Sequence, residues 1–541
     1  MFCIRLPGLP PMTAHVDTFA RDHLPPAAQM PELLFELPEL QFPPRLNATL
    51  ALLDRRIASG GDRPCLLGTD LRWTYAELQA QVDRIAHVLV EDLGLVPGNR
   101  VLLRGANSPM LAACFLAVFK AGGIAVGSMP LLRARELRTI IHKAQISHAL
   151  CDRRLLDELD QAAVDCPTLV HRLDFHAGSL EAAMAGKRAG FEAVDTEAED
   201  IALMAFTSGT TGVPKCTMHS HRDILAACAC WPPHVLRPRA DDVFIGSPPL
   251  GFTFGLGGLL LFPLAAGASA VLLEKASPDV LPAAIAEWRA TVCFTAPTSY
   301  RAMVPQVAAH DLSSLRKCVS AGEALPAATR ALWFEATGIQ IIDGIGSTEM
   351  LHIFISADEA HARPGATGLP VPGYRAAVLD DEGHVLPPGQ VGRLAVKGPT
   401  GCKYLADERQ ATYVHQGWNL TGDAYLVDEA GHFVYQARTD DMIVTGGYNV
   451  AGPEVEGALL LHPAVAECGV IGVPDPDRGQ VIKACVVLTP GHAGDAAMAR
   501  VLQDFVKRTI APYKYPRAIE FRSSLPRTET GKLQRFRLKE G

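Results

Sequence analysis

Short apolar runs alternate with helical patterns along the first two thirds of the chain: Arg100–Leu103, Gly123–Gly127, His148–Cys151, Ile201–Phe206, Ala268–Leu273, Thr291–Thr295, Lys317–Ser320 and Gln340–Asp343. Runs this short, bounded by turn residues and spaced by amphipathic stretches, fit strands covered on both faces, which means βα units and mainly parallel sheets. From about residue 365 the texture changes. Ala376–Asp380, Gly392–Lys397, His432–Tyr435 and Asp441–Val444 read as short strands between Asp/Gly turns, the pattern of an antiparallel subdomain. A further compact unit follows, with helices expected at Glu454–His462 and Ala496–Ile510 and strands at Ala466–Val473 and Lys483–Thr489. The expected fold is α/β: a large N-terminal domain of βα-layered sheets over residues 1–439, with an antiparallel β subdomain at about 365–439. A small, mobile α+β C-terminal domain then occupies residues 440–541.

Composition narrows the function classes. With 48% hydrophobic and 20% charged residues the chain has ample material for buried cores. A formal charge of −8 offers no basic surplus for phosphate backbones, so nucleic acid is not an expected partner. The 13 cysteines contain no CxxC pair, and they read as reduced, small apolar residues. The first residues, Met1–Pro11, lack an apolar run long enough for a signal peptide. Leu111–Met129 carries Lys120 and Gly122-Gly123, and Leu256–Leu273 is broken by Pro263 and glycines. Both fit a helix, a turn and a buried strand better than a membrane span. A cytoplasmic protein without a membrane partner is expected.

The sharpest local signal is Thr207-Ser208-Gly209-Thr210-Thr211-Gly212-Val213-Pro214-Lys215, directly after the run Ile201–Phe206. Glycines let backbone N–H groups approach an anion, hydroxyls add donors, and the lysine adds charge: the parts of a phosphate cradle. It is not a Walker A loop, because Pro214 precedes Lys215 and Cys216 follows it. His219 and His221 alternate beyond it without a third ligand at metal spacing, which argues for packing beside the loop and not for zinc.

Together with six further segments, this loop makes the chain, from about residue 45 to its C-terminus, resemble the adenylate-forming superfamily of acyl-CoA ligases, peptide-synthetase adenylation domains and luciferases. Ser320-Ala321-Gly322-Glu323-Ala324 and Asp343-Gly344-Ile345-Gly346-Ser347-Thr348-Glu349 are similar to its adenine and Mg²⁺ segments. Thr421-Gly422-Asp423 resembles the ribose-binding turn, Arg438-Thr439-Asp440-Asp441 the interdomain hinge, and Gly446-Gly447-Tyr448-Asn449 the loop that lines the CoA tunnel. Pro526-Arg527-Thr528-Glu529-Thr530-Gly531-Lys532 matches the terminal lysine motif.

The resemblance implies ATP, Mg²⁺ and the cosubstrate CoA. It makes Lys532, Glu349 and Lys215 catalytic, assigns Glu349 and Thr210 to the metal, and gives the nucleotide to the cradle, the adenine segments, Asp423, Arg438 and Lys532. Asp440 becomes the hinge, with Gly446, Gly447 and Tyr448 at the tunnel. Each role has a physical basis. A carboxylate at Glu349 suits a metal that offsets phosphate charge, and Asp423 can accept both ribose hydroxyls. Lys532 supplies a cation where two anions must meet.

The acid is less sharply marked. Pro248–Gly257 carries no aspartate to pair with an amino-acid ammonium, so a freestanding CoA ligase is favoured over a synthetase module. Glu349-Met350-Leu351-His352-Ile353-Phe354 resembles the benzoate-CoA ligases, while Gly251–Gly257 and the opening Asp17–Pro26 look more like the 2-aminobenzoate-CoA ligases. Gly251, Phe252, Gly346, His352 and Ile353 are the expected acyl pocket, with His352 bonding the carboxylate or a ring substituent and small Gly251 leaving room for an ortho group. The expected reaction is ATP-dependent conversion of an aromatic carboxylate, 2-aminobenzoate first, to its CoA thioester through an acyl-adenylate, by a monomer or homodimer. Benzoate, salicylate or a medium-chain acid, and a silent nucleotide-binding homologue, are the alternatives.

Overall fold

Four of the short runs, joined by His171–Phe175 and Lys215–Ser220 that the pattern did not mark, pair into a sheet ordered His171–Phe175, His148–Asp152, Arg100–Arg104, Ile124–Ser128, Ile201–Thr207 and Lys215–Ser220, parallel except for its last pair. This computed structural model describes residues 13–69, 71–207, 214–445, 448–475, 479–527 and 533–539. Ser208, Gly209, Thr210, Thr211, Gly212, Gly446, Gly447 and Lys532 lie outside the described residues, as do the side chains of Asp440 and Tyr448.

Every residue of Arg100–Arg104, Ile124–Ser128 and His148–Asp152 is buried, as continuous apolar strands under two helical layers require. The second sheet runs Leu369–Pro370, Ile353–Ser356, Ile341–Gly346, Lys317–Ser320, Val292–Thr295, Val243–Gly246, Ser269–Val271, Pro64–Leu67 and Arg72–Thr74. Its middle strands are parallel, and its outer pairs are antiparallel.

The two apolar stretches resolve as helices followed by strands. Helix Pro109–Lys120 is buried at all 12 positions, capped by the Ser108 hydroxyl at the Leu111 N–H. Its terminal Lys120 is neutralised by Asp54 and Asp83, at 2.8 and 2.5 Å, which a buried ammonium demands. Gly122, at φ +73°, turns the chain into Ile124–Ser128. Residues 253–266 are helical throughout and lead into the strand Ser269–Val271. No helix of the described residues is long and apolar enough to cross a membrane.

A third sheet is antiparallel: Arg375–Leu379, Gly392–Lys397, Trp418–Val427 and Val414–His415, with Phe433–Arg438 on Trp418–Val427. Asp441–Val444 does not belong to it. The strand forms at Ile443–Thr445 and pairs with Tyr448–Val450 and Gly479 in the C-terminal sheet, because a one-turn 3-10 helix, Thr439–Asp441, redirects the chain after Arg438. Val465–Asp475, Gly479–Leu488 and Ala518–Phe521 complete that sheet. Helices Gly452–Leu459 and Ala496–Thr509 contribute Val455, Leu459, Leu502 and Val506 to its core. The α/β expectation therefore holds, with the layered body, the antiparallel sheet and the smaller C-terminal unit.

Candidate active site

Thr207 and Lys215 face each other across an antiparallel pair, so the two described ends of the phosphate-cradle segment sit side by side. The strand after Lys215 also pairs on its free edge with residues 403–405: Met218 N–H donates to the Lys403 carbonyl and Leu405 N–H to the Cys216 carbonyl, both at 2.8 Å. That pairing carries Tyr404 to Lys215. The Lys215 ammonium lies 5.3 Å from the Tyr404 ring centre and 5.9 Å from that of Tyr413, and the two rings pack edge to face at 5.6 Å.

The Tyr404 hydroxyl donates to Glu349 Oε1. Burial, with Glu349 beside it, raises the Tyr404 phenol far above its usual range, so the proton stays on tyrosine and the carboxylate stays an acceptor. Lys215, Tyr404 and Glu349 thus form one cluster although 189 residues separate its ends (404 − 215). Neither tyrosine is marked by the sequence, because Tyr404 arrives by strand pairing and Tyr413 by the packing of helix Gln410–Tyr413, and not by spacing.

His219 lies under the same cluster. A carbonyl only accepts, so its Nε2–H must donate to the Thr348 carbonyl, at 2.7 Å. Its Nδ1 lies 4.0 Å from Asp223, which is paired with Lys403 at 2.5 Å. In this geometry the histidine packs beneath the loop and holds the residue before Glu349. Among the described residues no group of three or more His, Cys, Asp or Glu gathers as a metal cage. Glu349, one buried carboxylate, fits a hard divalent ion that takes its remaining oxygens from phosphates and water.

The adenine segments lie at adjacent strand ends. Ser320 and Asp343 are register partners, and Gly322 turns the chain at φ +93°. The strand Ile341–Gly346 runs through Gly344 and Ile345, longer than the expected run, because it pairs antiparallel with Ile353–Ser356. Burial pushes the Asp343 carboxyl up to about 7 against the opposing pull of Arg330. Across the seam, Arg527 of the C-terminal unit contacts Glu323 at 3.3 Å, and Arg527 forms an antiparallel bridge with Leu533.

Asp423 and Arg438 are register partners and an ion pair at 2.9 Å. Thr421-Gly422-Asp423 is a bulge inside the strand Trp418–Val427, where Arg393 pairs with Ala424 but Ala395 with Leu420. Gly422, at φ +77°, has the Arg438 guanidinium 3.0 Å from where a Cβ would stand.

His352 occupies an aromatic box. Its ring centre is 4.4 Å from Phe262, 5.7 Å from Phe254 and 5.8 Å from Trp231. A Cβ at Gly257 would stand 2.4 Å from the imidazole, so glycine there admits the ring. Its Nε2–H points to the Phe254 carbonyl at 3.4 Å, leaving Nδ1 a bare acceptor without a partner among the described residues. Ile353 is buried beside it, and Gly346 packs against the His352 carbonyl. Gly251 is small for a different reason from the expected one. A Cβ there would stand 2.9 Å from the Ser128 carbonyl oxygen, so its size serves a backbone–backbone approach, not space for a ring substituent. Phe252, next to it, is half-buried. Trp231, Phe254 and Phe262 carry no sequence mark, since core aromatics and pocket aromatics share one periodicity.

Burial depresses three of these histidines, His219 to about 4 and His221 and His352 to about 3, from 6.5. Between about pH 6.5 and 4.5 the unfolded chain binds these protons and the folded chain does not, so stability falls as pH falls. Asp343, which keeps its proton up to about 7, offsets one of them. For these four groups a net uptake of about two protons on unfolding is expected, at about 1.4 kcal/mol per proton per pH unit, and His15, His148 and His462, also depressed by burial, act in the same direction. Urea midpoints at pH 7.5 and 5.0 check this, and equal midpoints would contradict it.

Comparison with known proteins agrees with this arrangement. The model of the AMP-binding enzyme family matches residues 53–404, and that of the AMP-binding enzyme C-terminal domain matches 454–532. The chain belongs to this family of adenylate-forming enzymes, and it is an AMP-forming acid–thiol ligase of the benzoate-CoA ligase group. It is 36% identical to a benzoate–CoA ligase of Thauera aromatica over 513 residues, 93% of this chain and 97% of the relative. The anthranilate CoA ligase AuaEII, solved with anthranoyl-AMP, superposes with a TM-score of 0.90 at 36% identity, covering 93% of this chain and 98% of that one. A benzoate CoA ligase from Burkholderia xenovorans LB400 superposes with a TM-score of 0.84 at 32% identity, covering 91% and 99%.

Proposed function

We propose that this ligase activates an aromatic carboxylate, 2-aminobenzoate first, by forming an aroyl-adenylate from ATP and passing the aroyl group to CoA. In this reading the substrate carboxylate attacks the α-phosphate, pyrophosphate leaves, and CoA thiolate then displaces AMP. Ser208–Gly212, Thr207 and Lys215 bind the phosphates, Ser320–Ala324 and Asp343–Gly346 the adenine, and Asp423, set by Arg438, the ribose. Glu349, with Thr210, holds Mg²⁺, which when bound supplies charge that offsets the phosphate oxygens. Tyr404 fixes the Glu349 carboxylate, and its ring and that of Tyr413 seat the Lys215 ammonium. Lys532 brings a second cation to the reacting anions. Domains dividing at 439/440, a swivel at Asp440 and a thiol path past Gly446, Gly447 and Tyr448 accommodate the second half-reaction.

The observation that carries the choice of acid is the bare Nδ1 of His352 in its aromatic box. An ortho N–H donor satisfies it, whereas benzoate leaves a buried acceptor unpaired. The similarity to the anthranilate ligase supports the same choice, and the Thauera relative supports benzoate as the second reading. A CoA-consumption panel over 2-aminobenzoate, benzoate, salicylate, fluorobenzoates and octanoate decides. We expect kcat/KM for 2-aminobenzoate to exceed that for benzoate about tenfold or more, with the gap closing in His352→Phe. Equal values in the parent enzyme would leave benzoate as the reading.

A further inference from the structure

We propose that Arg301 is a positioning residue that docks the C-terminal domain in the orientation used for adenylation. It stands on helix Pro297–Met303 of the large domain. Its Nε donates to the Ala466 carbonyl at 3.2 Å, and its Nη2 to those of Val465 at 3.2 Å and Leu460 at 3.5 Å. All three acceptors belong to the C-terminal domain. Leu460 is the C-cap of helix Gly452–Leu459, so a cation meets the negative end of that helix as well as the turn that follows.

Burial works against the guanidinium charge, and no carboxylate is bonded to it among the described residues. Glu467 attracts it through space, but its hydrogen bonds are made to main-chain oxygens presented across the seam. Any rotation of the small domain removes every one of these bonds at once, which makes Arg301 orientation-selective and not merely adhesive.

The same strand edge is tied a second time. Arg527 joins Glu467, at 2.8 Å, to Glu323 of the adenine segment, at 3.3 Å. Arg527 lies five positions before Lys532 in the chain. The orientation that Arg301 locks is therefore the one that brings the terminal lysine motif to the nucleotide loops. This inference rests on the proposed roles of Lys532 and of domain rotation.

The test separates the half-reactions in the full-length enzyme. In Arg301→Ala, acid-dependent pyrophosphate exchange into ATP should fall about tenfold. Thioester formation from preformed aroyl-adenylate should stay within about twofold. Arg301→Lys should recover part of the exchange, since a point cation reaches fewer carbonyls. Spin labels at the exposed positions Val280 and Val501, introduced as Val280→Cys and Val501→Cys, report the domain orientation directly. With ATP bound, the parent enzyme should show one main distance and Arg301→Ala an added population. Equal loss in both half-reactions, or exchange and distances unchanged by Arg301→Ala, would overturn the docking role. A parent enzyme whose label distance is the same with ATP as with CoA, AMP and product would overturn the rotation reading beneath it, and the docking role with it.

Discussion

Lys532→Ala is expected to slow aroyl-adenylate formation at least about 100-fold while mostly sparing thioester formation from preformed adenylate. The reason is electrostatic. A carboxylate and a triphosphate repel as they approach, and charge grows on the phosphorus oxygens and the departing pyrophosphate. A preorganised cation at that point typically contributes about 10²–10³ in rate. The second half-reaction replaces AMP by a thiolate and, in the proposed cycle, follows rotation of the domain that carries Lys532, so the loss should be confined to the first. Single-turnover assays of each half-reaction measure the split. Equal losses would remove Lys532 from the adenylation step.

Glu349→Gln should cost adenylation about 10²–10³ in rate, because the amide keeps the shape but loses the charge that holds a divalent cation. Tyr404→Phe is the finer probe. It removes the hydroxyl that fixes Oε1 and keeps the ring that faces Lys215. The expected result is a Mg²⁺ requirement raised about tenfold, near the loss for a bond to a charged group. Mn²⁺ titration of the ATP complex followed by its paramagnetic signal gives a binding readout independent of turnover. Unchanged Mn²⁺ affinity in both variants would detach this cluster from the metal.

The architecture was largely legible because strand and helix periodicities differ and the chain keeps them apart. Lys317–Ser320 and Gly392–Lys397 form strands over the very residues the pattern marks. Partnership was harder to read. Asp441–Val444 has a strand pattern, but period-two alternation names no partner, and the turn at Thr439–Asp441 hands it to another sheet. Linear motifs mark the site where chemistry needs special residue types in sequence, as at Asp343–Glu349. They are silent where the site is assembled by packing. Tyr404 reaches Glu349 because residues 403–405 pair with the strand after the cradle, and Trp231 reaches His352 from the far end of helix His221–Trp231. Arg301 bonds only main-chain carbonyls, which every residue possesses, so no pattern of side chains announces it.

The central claim, that an aromatic acid and the α-phosphate of ATP are joined in this cleft, is tested most directly by isotope exchange. Labelled pyrophosphate should enter ATP only when an aromatic carboxylate is supplied, fastest with 2-aminobenzoate, with AMP as the nucleotide released once CoA is added. No exchange with any acid, or release of ADP, would contradict the account.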